Sequence, residues 1–372
     1  MPRSVIVVGG GIIGCSIAYE LAKAGCRVTV LERSTPGAEA SSAAAGLLAP
    51  LGGSPGRDPF RELALASWRL YPAVVSELRE LTGVDVEHMT GGTLYPLFDS
   101  AEIEAARLRT TWSTAAEFGI EVLEGAAALE REPALSKDIP AALFVKGDHW
   151  VNNERLVTAY ASAAARRGVS IRTGAEVTAI VATDGRAQGV VADGERLDAD
   201  TVVLAAGAWS GRLAPVGLPA LPVAPVRGQM LAVSNVPALL SHAVHGSEIY
   251  LVPRPSGELL VGATVEHAGF VRAVTPDGIG SLIEAAIRLV PAVGRRAITR
   301  TWSGLRPWAP DNAPILGPWP GAEGLVVATA HYRNGILLAP VTAALISQCV
   351  LTGKTPAALD PFLPQRFLSK ET

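Results

Sequence analysis

Ser4-Val5-Ile6-Val7-Val8-Gly9-Gly10-Gly11-Ile12-Ile13-Gly14 decides how the rest of this 372-residue chain is read. A run of β-branched residues ends in a glycine cluster, and a helical pattern starts at once over residues 15–24. The spacing Gly9-x-Gly11-x-x-Gly14 is that of a dinucleotide-binding turn. The first glycine allows the turn, the second lets the backbone approach a pyrophosphate, and the third lets helix pack on strand. A diphosphate at the amino end of that helix would meet unpaired N–H groups and the positive end of the helix dipole. A second strand over 27–31 ends at Glu32, where a carboxylate can accept from a ribose hydroxyl. This βαβ context predicts an adenine dinucleotide and leaves NAD or FAD open.

The length suggests two domains and allows a large core. Hydrophobic residues make up 49% and charged ones 18%, a composition that fits a packed enzyme and excludes a disordered or fibrous chain. A net charge of −3 with no basic run argues against nucleic acid or an anionic membrane as partner. Cys15, Cys26 and Cys349 show no metal-ligand spacing and cannot all pair, so no metal and a reducing, cytoplasmic setting are expected. The apolar stretch 5–18 follows Arg3 like a signal-peptide core, but its glycine cluster breaks the required helix. No uncharged apolar run approaches the roughly 20 residues of a membrane span.

Beyond Glu32 comes a loop of small residues over 34–50, then helices expected over 60–81, 101–118 and 153–167, with a strand over 93–98 between the first two. Short strands are expected over 170–172 and 176–182, and Gly185 and Gly194 punctuate a small antiparallel set with strands near 188–191 and 195–197. The run Thr201-Val202-Val203-Leu204 should return to the first sheet, which makes the dinucleotide domain discontinuous. Strands over 229–233, 247–252 and 258–261 suggest an antiparallel platform, followed by a helix over 278–289. A strand over 297–304, a loop over 305–317, a strand over 325–328 and a helix over 335–351 complete the chain. The expected division is a dinucleotide domain of 1–80, 141–222 and 315–372 and a substrate domain of 81–140 and 223–314.

Three side chains stand out by setting. Arg306 is expected just past a strand, Arg333 stands immediately before the last helix, and Tyr250 sits on a platform strand. An arginine can hold a carboxylate through two charge-assisted hydrogen bonds, and a tyrosine hydroxyl can add a third. Asn334 and Gly335 are candidate caps for the last helix, with Pro340 near its first turn. The amino end of that helix, aimed at the pyrimidine edge of a flavin, would stabilise the reduced anionic ring. Asp311 and His331 are possible acid and base, though no spacing requires it.

These stretches together resemble the glycine oxidase (ThiO) branch of the FAD-dependent D-amino-acid oxidase family, over nearly the full length. The likeness is carried by residues 7–14 with Glu32; by Ser41-Ser42-Ala43-Ala44-Ala45-Gly46-Leu47-Leu48; by Leu204-Ala205-Ala206-Gly207-Ala208-Trp209-Ser210; by Tyr250-Leu251-Val252-Pro253-Arg254; by Gly262-Ala263-Thr264; by Gly304-Leu305-Arg306-Pro307; and by His331-Tyr332-Arg333-Asn334-Gly335. It implies FAD, and an α/β fold in which a Rossmann-like FAD domain is interleaved with an antiparallel-sheet substrate domain.

By position, Gly9, Gly11, Ile12, Ile13, Gly14, Glu32, Arg33, Ser41, Ser42, Ala45, Gly46 and Leu47 would line the cofactor. Val177 would meet its adenine end, and Ala206, Gly207 and Trp209 would lie beside it. His331, Arg333, Asn334, Gly335, Ile336 and Leu337 would wrap the flavin. Arg306 would bind the substrate carboxylate, with Tyr250 and Arg333 beside it; Glu248 and Val265, where the chain departs from the branch's pattern, would shape the substrate pocket.

The reaction implied is hydride transfer from the substrate Cα to flavin N5, followed by hydrolysis of the imine to a 2-oxo acid and ammonia. Oxygen would re-oxidise the flavin and give hydrogen peroxide. A role in thiamine (thiazole) synthesis and a homotetramer follow from the same resemblance. No cysteine occurs over 308–317, so non-covalent FAD is expected. The competing expectations are a D-proline-type dehydrogenase with another electron acceptor, and a silent FAD-binding subunit.

Overall fold

The computed structural model describes residues 2–51 and 58–368; the expected domain bounds that fall on residues 1, 52–57 and 369–372 lie outside them. Strand Ser4–Val8 pairs in parallel with Arg27–Glu32 on one side and Thr201–Leu204 on the other. Ser170–Thr173 extends the sheet beyond Arg27–Glu32, and Leu325–Thr329 then antiparallel Ile315–Pro318 extend it beyond Thr201–Leu204. A strand at the centre of such a sheet is buried on both faces, which is why it is apolar at every position from Val5 to Val8. Val5 and Val7 enter a core with the helices Ile12–Lys23, Pro59–Thr82, Asn153–Arg166 and Gly335–Thr352, whereas Ile6 and Val8 face a core with a three-stranded antiparallel sheet spanning residues 177–198.

The second sheet has eight strands, in the order Ile298–Trp308, Ala224–Ser234, Glu258–Gly262, Tyr250–Pro253, Ala243–His245, Thr93–Leu97, Ala141–Val145 and Ile120–Glu124. All its pairings are antiparallel except that of Ala243–His245 with Thr93–Leu97. Alternation gives it two faces. Leu231, Val233, Leu251 and Val261 pack with helix Pro276–Leu289, while Met230, Ala232, Val252 and Leu260 face the other way.

Several expectations need correction. The strand Ala141–Val145 pairs with Thr93–Leu97, so the break expected at 140/141 falls a strand too early. The helix expected over 101–118 is two pieces, Ser100–Arg109 and Ala115–Phe118, parted by a turn at Thr110 and Thr111. Residues 305–308 are not loop: Ile298–Trp308 runs through Arg306 as one strand paired along Ala224–Ser234. The short strands Ile315–Pro318 and Ala243–His245 were not anticipated. Helix Gly335–Thr352 is uncharged, and by length and composition alone it could cross a membrane, but most of it is buried against its neighbours.

Helix Gly335–Thr352 carries Pro340 in its second turn. Proline has no N–H and cannot bond the Ile336 carbonyl four residues back. The Tyr71 hydroxyl donates to that carbonyl instead, and Ser67 Oγ donates to the Leu337 carbonyl at 2.6 Å. Both come from helix Pro59–Thr82, so the freed groups are satisfied from a neighbour.

Candidate functional site

A cavity of about 930 Å³ opens between the two sheets. One wall belongs to the first sheet. Gly9, at φ 103°, lets the chain leave Ser4–Val8 in a conformation that an L side chain adopts only with strain, and a Cβ there would overlap the Ala205 carbonyl. A Cβ at Gly14 would overlap the Gly9 carbonyl, so the helix can approach the strand only without a side chain. The cap residue Gly11 offers no side-chain hydrogen bond to the helix Ile12–Lys23; the Ile12 N–H donates instead to Ser41 Oγ at 2.9 Å. The Glu32 carboxylate is buried and accepts from the Gly10 and Ser34 N–H groups at 2.7 and 2.8 Å, leaving lone pairs for further donors. Gly11, Ile12, Ile13, Ser41, Ala45, Gly46, Leu47 and Gly207 all line the cavity. A narrow glycine cradle, open helix N–H groups and an acidic strand end fit a dinucleotide.

Other residues expected around the cofactor stand back from the cavity. Gly9, Gly14 and Ala206 shape its floor from behind. Arg33 lies 3.7 Å over the Trp209 ring and pairs with Glu39, and Trp209 belongs to a 3-10 turn, Gly207–Arg212. Ser42 bonds the Gly37 carbonyl at 2.6 Å. Val177 begins its strand two residues after Ala175, whose N–H donates to the Glu32 carbonyl at 2.9 Å. The Leu337 side chain is buried in the helical core instead of facing the cavity.

The facing wall comes from the second sheet and from the approach to the last helix. Arg306 Nη1 donates to the Thr264 carbonyl at 2.9 Å, and its guanidinium lies where a Cβ on Gly228 would stand. Register explains this: Val226 pairs with Arg306 and Gly228 with Gly304, so Gly228 is the diagonal neighbour of Arg306. Gly304 in turn leaves room for the Ala43 methyl. Tyr250 faces Met230, with its hydroxyl 3.8 Å from the sulfur. Burial pushes the Tyr250 hydroxyl above its ordinary value, against the pull of the Arg306 and Arg333 cations. Arg333 is exposed at the rim, 5.2 Å over the Tyr332 ring. Neither Arg306 nor Arg333 has an ion-pair partner among the described residues. Glu248 lines the cavity and pairs with Arg288 at 2.5 Å, and Val265, also on the cavity surface, is exposed.

The link 330–334 is held in an unusual backbone. Ala330 and Tyr332 have φ of 57° and 49°, a region costly for residues with a Cβ, and the Tyr332 N–H donates to the Pro307 carbonyl at 2.8 Å. His331 is buried between them with Nε2 3.1 Å from Thr342 Oγ1, and burial pushes it down to about 3. It is neutral, which removes it as an acid or base near neutral pH. Asp311 is held by Arg366 at 2.7 Å and does not line the cavity. Asn334 precedes the last helix without a side-chain cap, so that helix presents bare N–H groups to the cavity lined by Asn334, Gly335 and Ile336.

Sequence reasoning passed over Thr93, Tyr95 and Gly228, all on the cavity surface. Thr93 and Tyr95 share one face of a strand, and that period of two was the available signal. His245 is paired directly opposite Tyr250 and stacks on it, with rings 5.9 Å apart at 14°.

Known proteins resemble this chain in sequence and fold. A family model described as FAD dependent oxidoreductase matches residues 4–349. The chain is 39% identical to a glycine oxidase of Pseudomonas putida, over 97% of both chains. It is 40% identical to the bifunctional protein ThiO/ThiG of Synechocystis, over 98% of this chain but 54% of that protein, so it spans about half the length of that relative. The crystal structure of glycine oxidase from Geobacillus kaustophilus superposes with a TM-score of 0.91 at 36% identity, covering all of both chains.

Proposed function

The chain belongs to the FAD dependent oxidoreductase family, and from that premise we propose that it is an amino-acid oxidase. Its substrate is glycine or a similarly small amine, such as sarcosine or a small D-amino acid. The observation that carries this is the pair of guanidiniums, Arg306 and Arg333, that meet the cavity beside Tyr250 with no carboxylate partner among the described residues. Arg306 is partly buried, where a cation without a counter-ion is costly and a bound carboxylate removes that cost, and the exposed Arg333 adds charge at the rim. The similarity to two glycine oxidases supports the substrate class.

Arg306 grips the substrate carboxylate through parallel N–H donors, the Tyr250 hydroxyl adds a further donor, and Arg333 closes the rim. Two cations beside the site disfavour a protonated amine, so the substrate reacts with its amine neutral and needs no side-chain base. The glycine cradle, Ile12, Ile13, Ser41 and Glu32 would hold FAD without a covalent bond. FAD bound there would supply the two-electron acceptor for the hydride of the substrate Cα, with oxygen as the final oxidant. The chain itself contributes orientation, holding the substrate Cα in one place relative to the cofactor. The imine leaves to hydrolyse to a 2-oxo acid and ammonia.

A cytoplasmic location, a homotetramer and a role in the thiazole branch of thiamine synthesis belong to the same proposal. The similarity to proteins named ThiO/ThiG supports the last of these. The first test is peroxide release from the purified yellow protein with glycine, sarcosine, D-alanine and D-proline. Peroxide with glycine or sarcosine is the expected result. Bleaching under nitrogen without peroxide in air would replace the oxidase with a dehydrogenase, and no bleaching with any of the four would remove the substrate assignment.

A further inference from the structure

Behind the cavity wall lies a buried carboxyl that the proposed reaction does not use. Asp148 follows strand Ala141–Val145 and is 1% exposed. Its Oδ2 accepts from the Tyr95 hydroxyl at 2.5 Å, while Oδ1 has no hydrogen-bond partner. The Thr93 hydroxyl, on the same strand face as Tyr95, is also buried and unpartnered. Native folds leave few buried polar atoms unpaired, and each needs a physical reason.

Tyr95 connects this carboxyl to the cavity. Its ring meets the His245 ring at 5.3 Å, and His245 stacks on Tyr250. All three rings line the cavity. Arg109 lies 5.6 Å over the other side of Tyr95 and donates to the Leu51 carbonyl at 3.3 Å; it makes no ion pair with Asp148. His149, the next residue, turns to His88 at 3.2 Å and stays out of the cluster.

We propose that Asp148 is a positioning residue: by holding the Tyr95 hydroxyl it fixes the Tyr95–His245–Tyr250 wall against which the substrate lies, and the wall loosens when Asp148 takes up a proton. This rests on the cavity being an amino-acid site, as proposed above. Ionised, Asp148 accepts a charge-assisted bond, about twice as strong as a neutral one. Protonated, it is a donor, free to turn toward the Thr93 oxygen, and Tyr95 loses its strong acceptor. Burial pushes Asp148 up to about 7, against the Tyr95 hydroxyl and the Arg109 cation, so the exchange falls near neutral pH. Its neighbours do not titrate there. Tyr95 is held well above its ordinary value by burial and by Asp148, and His245 is pushed down to about 4 by burial and by Arg333.

The test is the pH dependence of KM and kcat for glycine in the FAD-loaded parent, Asp148→Asn, Tyr95→Phe and the double variant. Between about pH 6 and about pH 8.5 the parental KM should fall about three- to tenfold more than that of either variant, with kcat changing far less. The double variant should match the single ones. An unchanged KM profile in Asp148→Asn, or losses that add in the double variant, overturns the proposal. Tyr95→Phe removes a single oxygen and keeps the test alive if Asp148→Asn does not fold.

A parent that turns over no amino acid refutes the proposed function separately, and the buried pair is then judged by melting temperature. With its pKa raised from 3.8 to about 7, Asp148 binds more protons folded than unfolded across that window. The parent should therefore lose stability relative to Asp148→Asn as pH rises through it. Parallel melting curves would overturn the assignment of Asp148 as an ionising group.

Discussion

The two walls of the cavity are built by opposite means. The wall from the first sheet is mostly backbone: glycines without side chains, helix N–H groups and one carboxylate pinned by two amides. The wall from the second sheet is mostly side chain, with Arg306, Tyr250, His245 and Tyr95 standing on strands. A backbone wall tolerates any side chain that points away and fails when a Cβ is added where chains touch. A side-chain wall keeps its fold under substitution and changes its chemistry instead. The cofactor side is therefore rigid by construction, and the substrate side is where specificity is adjusted.

The largest effect expected of this contrast is at Gly14. Gly14→Ala would drive a methyl into the Gly9 carbonyl and part the helix from the strand. No folded yellow protein should be recovered, as judged by circular dichroism and flavin absorbance; a yellow variant with parental melting would erase the distinction. Next comes Arg306→Ala, which should leave fold and flavin content intact while lowering kcat/KM about 10²- to 10³-fold, mostly through KM. Arg306→Lys should recover part of that and not all, because one ammonium cannot reproduce the two-donor fork. Gly228→Ala offers a sharper cut, since it displaces the guanidinium without removing it.

Smaller effects probe how the last helix is held. Tyr71→Phe leaves the Ile336 carbonyl, already deprived by Pro340, without its donor. Stability should drop by about 1–3 kcal/mol in denaturant titration, with kcat little changed. Smallest is a pH slope. His331 is pushed down to about 3, so between there and its ordinary 6.5 the fold binds fewer protons than the unfolded chain. That stability is full above 6.5 and is lost as pH falls. His331→Gln should flatten the acid side of the melting-temperature profile, and an unchanged acid limb would mean that other groups set it.

The backbone wall was the more legible of the two in the sequence, because its signals are local. Residues 4–14 and 27–32 carry strand, turn and helix within one short stretch, and the β-branched run at 201–204 announced its return to the sheet. Arg306 was recognised as chemistry but misplaced, because Gly304 and Pro307 look like turn residues. In the fold Gly304 is small to admit Ala43, and the Pro307 carbonyl is taken by the Tyr332 amide. Asn334 looked like a cap and does not act as one. Tyr95 and Thr93 reach the cavity only because Thr93–Leu97 pairs with Ala243–His245, a contact across some 150 residues that no local pattern encodes.

The same long connections constrain how the protein can be made. Ser4–Val8 is synthesised well before its neighbour Thr201–Leu204 and the next strand, Leu325–Thr329. Gly9 packs on the Ala205 carbonyl, so the phosphate turn has no support until that stretch has been synthesised. Pairings so distant in sequence form slowly, and an exposed parallel-strand edge waits for them. A nascent chain therefore cannot capture its cofactor early. The phosphate turn is completed by residues some 200 positions downstream, and a cofactor held there meets a finished sheet instead of seeding it.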